Sequence, residues 1–209
     1  THLHLRAYQL IFSSLLRIED RFLNLRKEWK SWNSLSHERL TTTINQLIKL
    51  RFSPKHQNNF PCSDLIPERF FERFADQTTE IEGIIEEMSH SLESVHKEFL
   101  FIHSQYAPLL PSSDPPLSLL PSPFATLFAT FSSIFARFFK DLEMKEEILG
   151  DLFTNAKRET LVLYEMAWGT MPEIGQEKLE EEQEIIRANL NDLAWVFEAG
   201  SFRGGSEDQ

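Results

Sequence analysis

Two pairs of residues on one stretch of the chain have the spacing of metal ligands. Glu87-Met88-Ser89-His90 and Glu93-Ser94-Val95-His96 are both Glu-x-x-His units, which set a carboxylate and an imidazole on one helical face. Di-iron bundles take such a unit from each of two helices and a further Glu from each of the other two. Here both units fall on one predicted helix, and the other helical stretches carry none. A single helix cannot enclose a metal pair from opposite sides. The units therefore read as solvent-facing residues beside a Met88/Leu92/Val95 seam, and no metal is expected.

Other reactive residues lead no further. Cys62 lies in Phe60-Pro61-Cys62-Ser63-Asp64, with no basic neighbour to draw off its proton, and reads as an inert thiol. As the only cysteine it cannot form an internal disulfide and fits a reducing, intracellular compartment. The chain has no phosphate-binding glycine loop, no nucleophile elbow and no paired-cysteine metal motif. An enzyme is not expected, nor a cofactor. Lys145 falls on a predicted core seam, where an ammonium must be paired. It reads either as a register-fixing ion pair with an Asp or Glu of a neighbouring helix, or a contact to a partner, or as a snorkelling stem at a bundle edge.

The elements that would hold these residues are parsed by proline, which cannot sit inside a helix without losing a hydrogen bond and clashing with the preceding turn. All ten prolines fall within 54–67, within 108–123 or at position 172. The stretches between them predict helices near 4–52, 66–107, 122–170 and 172–199. Ile11, Leu15, Ile18, Phe22, Leu25, Trp29 and Trp32 step by alternating fours and threes. That phase slips near Ser34–Ser36 and resumes at Leu40, Ile44 and Leu47. Ile81, Ile85, Met88, Leu92, Val95, Phe99, Ile102 and Tyr106 keep the alternation without a gap. The third seam runs Phe124, Phe128, Phe131, Phe135, Phe138, Leu142, Lys145, Leu149 and Leu152; the fourth is Ile186, Leu190, Leu193 and Phe197. Ser122-Pro123 reads as a helix start, and Thr170-Met171-Pro172-Glu173 has capping-box spacing. No stretch shows sustained period-two alternation, so strands are not needed.

The expected fold is all-α, an elongated antiparallel up-down helical bundle of about four long helices. One domain should cover 1–199, with loops near 53–66 and 107–122 and a flexible tail over 200–209. Pro115 to Ala136 contains no charged residue, yet its prolines leave too short an unbroken helix to cross a bilayer core of about 30 Å. The chain opens without an initiator Met or a signal-peptide layout, which reads as a trimmed or internal start.

Twenty-one basic against 32 acidic residues set the net charge at −11. That field repels phosphate backbones and anionic membranes, and it opposes self-association. Glu177, Glu180, Glu181, Glu182 and Glu184 gather near the start of the last predicted helix, as a solvated face or a docking site for a basic protein. Eighteen Phe and four Trp exceed what a four-helix core readily encloses. Trp32, Trp195 and one of Phe138 and Phe139 fall beside the seams, where an aromatic side chain is a lid on the core or an anchor for another protein.

The C-terminal half, with Lys140-Asp141-Leu142-Glu143-Met144-Lys145, Asp151-Leu152, Tyr164, Trp168, Pro172 and Ile174, resembles the family of the cyclin-dependent-kinase-interacting protein CINP and the ribosome maturation factor AIRIM. Glu28-Trp29-Lys30-Ser31-Trp32-Asn33 resembles the tryptophan-containing first helix of that family. The 107–122 linker and the N-terminus depart from the pattern. The resemblance implies a non-enzymatic helical adaptor in the nucleus or cytoplasm. Such an adaptor pairs with a related helical subunit and docks on a hexameric AAA ATPase, in large ribosomal subunit maturation or genome maintenance. Trp29, Lys145 and Trp168, which carry the resemblance, join Trp32, Phe138, Phe139 and Trp195 as the expected protein-binding residues. Long heptads fit a coiled-coil tether of a kinetochore, vesicle-tethering or cytoskeletal complex equally well.

Overall fold

The computed structural model describes residues 2–52, 68–106, 123–154 and 157–203. Among these residues there are five helices and no strand, so the chain is all-α: α1 (His2–Phe52), α2 (Glu68–Tyr106), α3 (Pro123–Asp151), α4 (Arg158–Thr170) and α5 (Gln176–Arg203). No helix is long and apolar enough to cross a membrane among the described residues. Cys62 and the expected loops lie outside them.

The seam of α1 does not slip. Asn33, Ser36 and Thr43 are buried in line with Trp29, Leu40, Ile44 and Leu47. Polar residues continue the buried stripe where the hydrophobic pattern lapses, and Trp32 is only half-buried. The α2 seam is buried from Ile81 through Tyr106 as its periodicity predicts. In α3 the expected seam is buried through Lys145, joined by Leu127, Ile134 and Asp141, and at its end Ile148 takes the inward position expected of Leu149.

The expected third helix over 122–170 is two helices. The carbonyl of Asp151 accepts the backbone N–H of Thr154 at 3.1 Å and its hydroxyl at 3.3 Å. That hydroxyl also reaches the Asp151 carboxylate at 3.0 Å. These local bonds close a turn in place of further helical ones. The expected capping box at Thr170 is likewise a helix end. The Thr170 hydroxyl donates back to the carbonyl of Met166 at 2.9 Å. Pro172 disfavours a right-handed conformation at Met171, which turns to φ 47° and donates its N–H to Ala167 at 3.2 Å. That bond is the left-handed helix cap. Gly175, at φ +60°, then opens α5 by accepting the N–H of Leu179 at 3.0 Å.

The chain divides into two compact units that both draw on α1, α2 and α3. Unit 1 holds residues 1–24, 92–138 and 174–209; unit 2 holds 25–91 and 139–173. Within unit 1, Arg17 and Arg21 of α1 meet Glu98 and Ser94 of α2, so the two helices run in opposite directions there. The core of unit 1 is aromatic. Phe22 stands edge-on to Phe131, Phe135 and Phe138 at 5.7 to 6.4 Å, and Phe99 packs on Phe128, Phe131 and Phe135 at 5.2 to 5.8 Å. Within unit 2, Trp29, Leu40, Ile44, Ile81, Met88, Leu161 and Trp168 are buried alongside several polar groups.

Candidate functional site

The polar groups of unit 2 converge on one point of α3. Asp141 and Lys145, one turn apart, are both fully buried and form an ion pair. The same carboxylate oxygen accepts the indole N–H of Trp29 at 3.0 Å. The Lys145 ammonium sits 5.5 Å from the ring centre of Trp168, within cation–π range. The Trp168 N–H donates to the Ser36 hydroxyl at 2.9 Å, and that hydroxyl donates to the carbonyl of Asn33 at 3.2 Å. A chain of contacts thus joins α1, α3 and α4 through the middle of the unit. Burial pushes the Lys145 ammonium below the usual lysine range, and the adjacent Asp141 charge and hydrogen bond pull it back up.

A second row of bonds fastens α4 to α1 and α3. A ring nitrogen of His37 lies 3.1 Å from the carbonyl of Glu165, and the Thr41 hydroxyl donates to the Glu165 carboxylate at 3.0 Å. A β-carbon on Gly169 would stand 2.9 Å from the His37 ring, so glycine is what permits the close approach. Tyr164 donates to Asp151, and this bond chiefly raises the phenol above its usual range.

Of the seven expected protein-binding residues, the structure brings together Trp29, Lys145 and Trp168, inside the core of unit 2. Phe138 is buried in the aromatic core of unit 1, against Phe22. These four show at most 1% exposure and offer no face to a partner while the helices stay packed. Lys145 neither snorkels nor pairs with another helix; its counterion is one turn back on its own. Trp32 and Phe139 are half-buried. Trp195 is the outward one, 73% exposed on α5 beside Val196 at 59%.

The Glu-x-x-His units are not assembled into a ligand set. Glu87 and His90 are exposed, and Glu93 pairs with Lys97 at 3.3 Å. The His96 ring lies 5.2 Å from Phe135, where burial pushes its pKa below the usual histidine range. No group of three His, Cys, Asp or Glu able to hold a metal occurs among the described residues.

Sequence reasoning missed Asp141, Ser36 and Asn33. The i,i+4 spacing of Asp141 and Lys145 was a usable signal once Lys145 fell on a seam. It missed Glu182 as well, whose place in an exposed-looking acidic run concealed a buried pair with Arg137 of α3. The Arg137 guanidinium also donates to the carbonyl of Ile174 at 2.6 Å, and Ser133 donates to Glu182 at 3.1 Å. These bonds anchor the start of α5, so this part of the acidic cluster is structural.

A scan against protein-family models finds no match to the chain, and no curated protein matches it.

Proposed function

We propose that this chain is a non-enzymatic adaptor subunit that works as a heteromer. In this reading it pairs with a related helical protein of the CINP and AIRIM kind. The pair docks on a hexameric AAA ATPase, in large ribosomal subunit maturation or genome maintenance, in the nucleus or cytoplasm. Its helices form an up-down antiparallel bundle, and it binds neither nucleic acid nor membrane directly. The observation that carries the reading is Trp195. An indole 73% exposed on α5, next to Val196 at 59%, supports the reading of an interface anchor over that of a lid on the core. The net charge of −11 favours a less acidic partner over a second copy. The alternative, a coiled-coil tether, rests on the 51-residue length of α1.

Sedimentation of the purified chain, alone and with a CINP-like or AIRIM-like subunit, tests the proposal. A heteromeric complex is expected, weakened by about 1–3 kcal/mol in Trp195→Ala with helicity unchanged. A stable homodimer that ignores each candidate would refute it. Affinity purification from native extract separates the two readings, since motor or centromere proteins in place of an AAA ATPase would favour the tether.

A further inference from the structure

Unit 1 has an open apolar trough between α1 and α2, on the side of α1 turned away from α5. Phe12 meets Phe197 of α5 at 5.3 Å, and Leu10 stands about 200° around α1 from Phe12. Leu10, Ile11 and Ser14 form one wall and Phe101, Ile102 and Gln105 the other, around a volume of about 410 Å³. Ile11 and Ile102 are floor residues, 5% and 3% exposed. Leu10 and Phe101 stand proud on the rims at 70% and 65%, among the most exposed large apolar side chains of the molecule.

The charges along this trough are opposite to those of the chain as a whole. Arg6 is exposed one turn before Leu10. Beyond Ser14, Arg17 and Arg21 both pair with the single carboxylate of Glu98. Arg17 keeps 65% of its side chain exposed. Arg6, Arg17 and Arg21 against Glu98 and the exposed Asp20, three residues on from Arg17, leave a local positive excess of one charge, on a protein of net charge −11.

We propose that this trough binds an acidic amphipathic α-helix of a partner chain. Its apolar residues at i, i+3 or i+4, and i+7 would pack between Leu10 and Phe101, and a carboxylate about one turn further would meet Arg17. From Ala7 to Ser14 the wall is about 10 Å long, two turns of helix, which matches that anchor spacing. A compact apolar ligand fits less well, because such ligands are held by burying most of their surface and these rims project into water. A second copy fits less well too. A two-fold pairing would set the same basic rim against itself, and like charges across an interface are repelled. The surface is distinct from Trp195, so the proposal stands independently of the adaptor reading.

Photocrosslinking in the full-length chain tests it, with p-benzoylphenylalanine placed at position 101 or at position 10 and native extract as the source of partners. The crosslinked segment is read by mass spectrometry and then made as a labelled peptide for titration. The expected result is a net-acidic helical segment of another chain, whose affinity falls about tenfold in Leu10→Asp and about threefold in Arg17→Ala. Both substituted positions are exposed, and Arg21 continues to hold Glu98, so circular dichroism should be unchanged. The proposal is overturned if both positions crosslink only to a second copy of the chain, to a basic segment, or to nothing. It is also overturned if the peptide binds Leu10→Asp as well as it binds the unsubstituted chain. Crosslinks obtained only when the probe is moved to position 195 would overturn it and leave the adaptor reading in place.

Discussion

The two units bury comparable hydrophobic seams but hold them in register by different means. Unit 1 is packed with phenylalanine: Phe22, Phe99, Phe128, Phe131, Phe135 and Phe138 contact one another, and its ion pairs, Arg137–Glu182 and Arg21–Glu98, bind one helix to the next around that core. Unit 2 threads charge and a hydroxyl through its centre, with Asp141, Lys145 and Ser36 at 0% exposure in contact with two tryptophans. Burial of apolar surface is non-directional, so unit 1 gains stability mainly from area, with edge-on ring pairs adding a smaller geometric preference. A buried ammonium tolerates few neighbours, so unit 2 gives up some of that stability and specifies which side chains must meet.

Charge placed in either seam should produce the largest losses and no difference between the units. Phe99→Asp in unit 1 and Met88→Asp in unit 2 each bury an unpaired carboxylate, and each should destabilise by more than about 4 kcal/mol in urea unfolding. An unchanged melting temperature in both would remove those positions from the core.

The next effect should occur only in unit 2. Lys145→Met leaves the Asp141 carboxylate buried without its counterion and should cost about 3–5 kcal/mol. Adding Asp141→Asn removes the stranded charge and keeps an oxygen for the Trp29 N–H, so the double variant should regain most of the loss or exceed the starting stability. A double variant no better than the single one would mean that the pair is worth more than its desolvation. Smaller again, Ser36→Ala removes the acceptor of the Trp168 N–H. It should cost about 1–3 kcal/mol, with a red-shifted or quenched tryptophan emission as the second readout.

The smallest effect is a pH dependence. Folding lowers the pKa of Lys145, chiefly by burial. Between that lowered value and the ordinary one of about 10.4, the unfolded chain holds more protons than the folded chain. The destabilising contribution of this lysine therefore shrinks as pH rises through the window. Folding raises Tyr164 through its bond to Asp151, so its contribution is complete below the ordinary tyrosine value and is lost only as pH rises through the raised one. Below pH of about 10 the lysine effect is thus read free of Tyr164. Subtracting the unfolding energies of Asp141→Asn/Lys145→Met from those of the unsubstituted chain should give a difference that favours the latter increasingly as pH rises. A flat difference would place Lys145 at an unperturbed pKa.

Legibility in the sequence followed the same division. The seam of α2 and that of α3 from Phe124 to Phe138 were readable because their inward positions are apolar and the period carries the whole signal. In α1 the pattern lapses at Asn33 and Ser36, and polar residue types there imitate a change of phase. The buried Ser36 hydroxyl finds its partner more than a hundred positions away, at Trp168. The break after Asp151 was hidden for a local reason. It lacks proline, and its turn is closed by the Thr154 hydroxyl and backbone, which a helix could equally have accommodated.

The sequence by itself determined that the chain is helical, roughly where its helices begin and stop, and which seams carry the bulk of the apolar surface. Those properties are local, set by proline, by period and by side-chain volume. Tertiary structure alone decided which of seven candidate residues are buried and which is offered outward. Trp29, Trp168 and Trp195 are the same residue type on similar helices, yet two donate their indole N–H inside unit 2 and the third is 73% exposed. The reason is physical. An indole is stable in a core only where an acceptor awaits its N–H, and the acceptors Asp141 and Ser36 are supplied by other helices, at distances in sequence that no local pattern records.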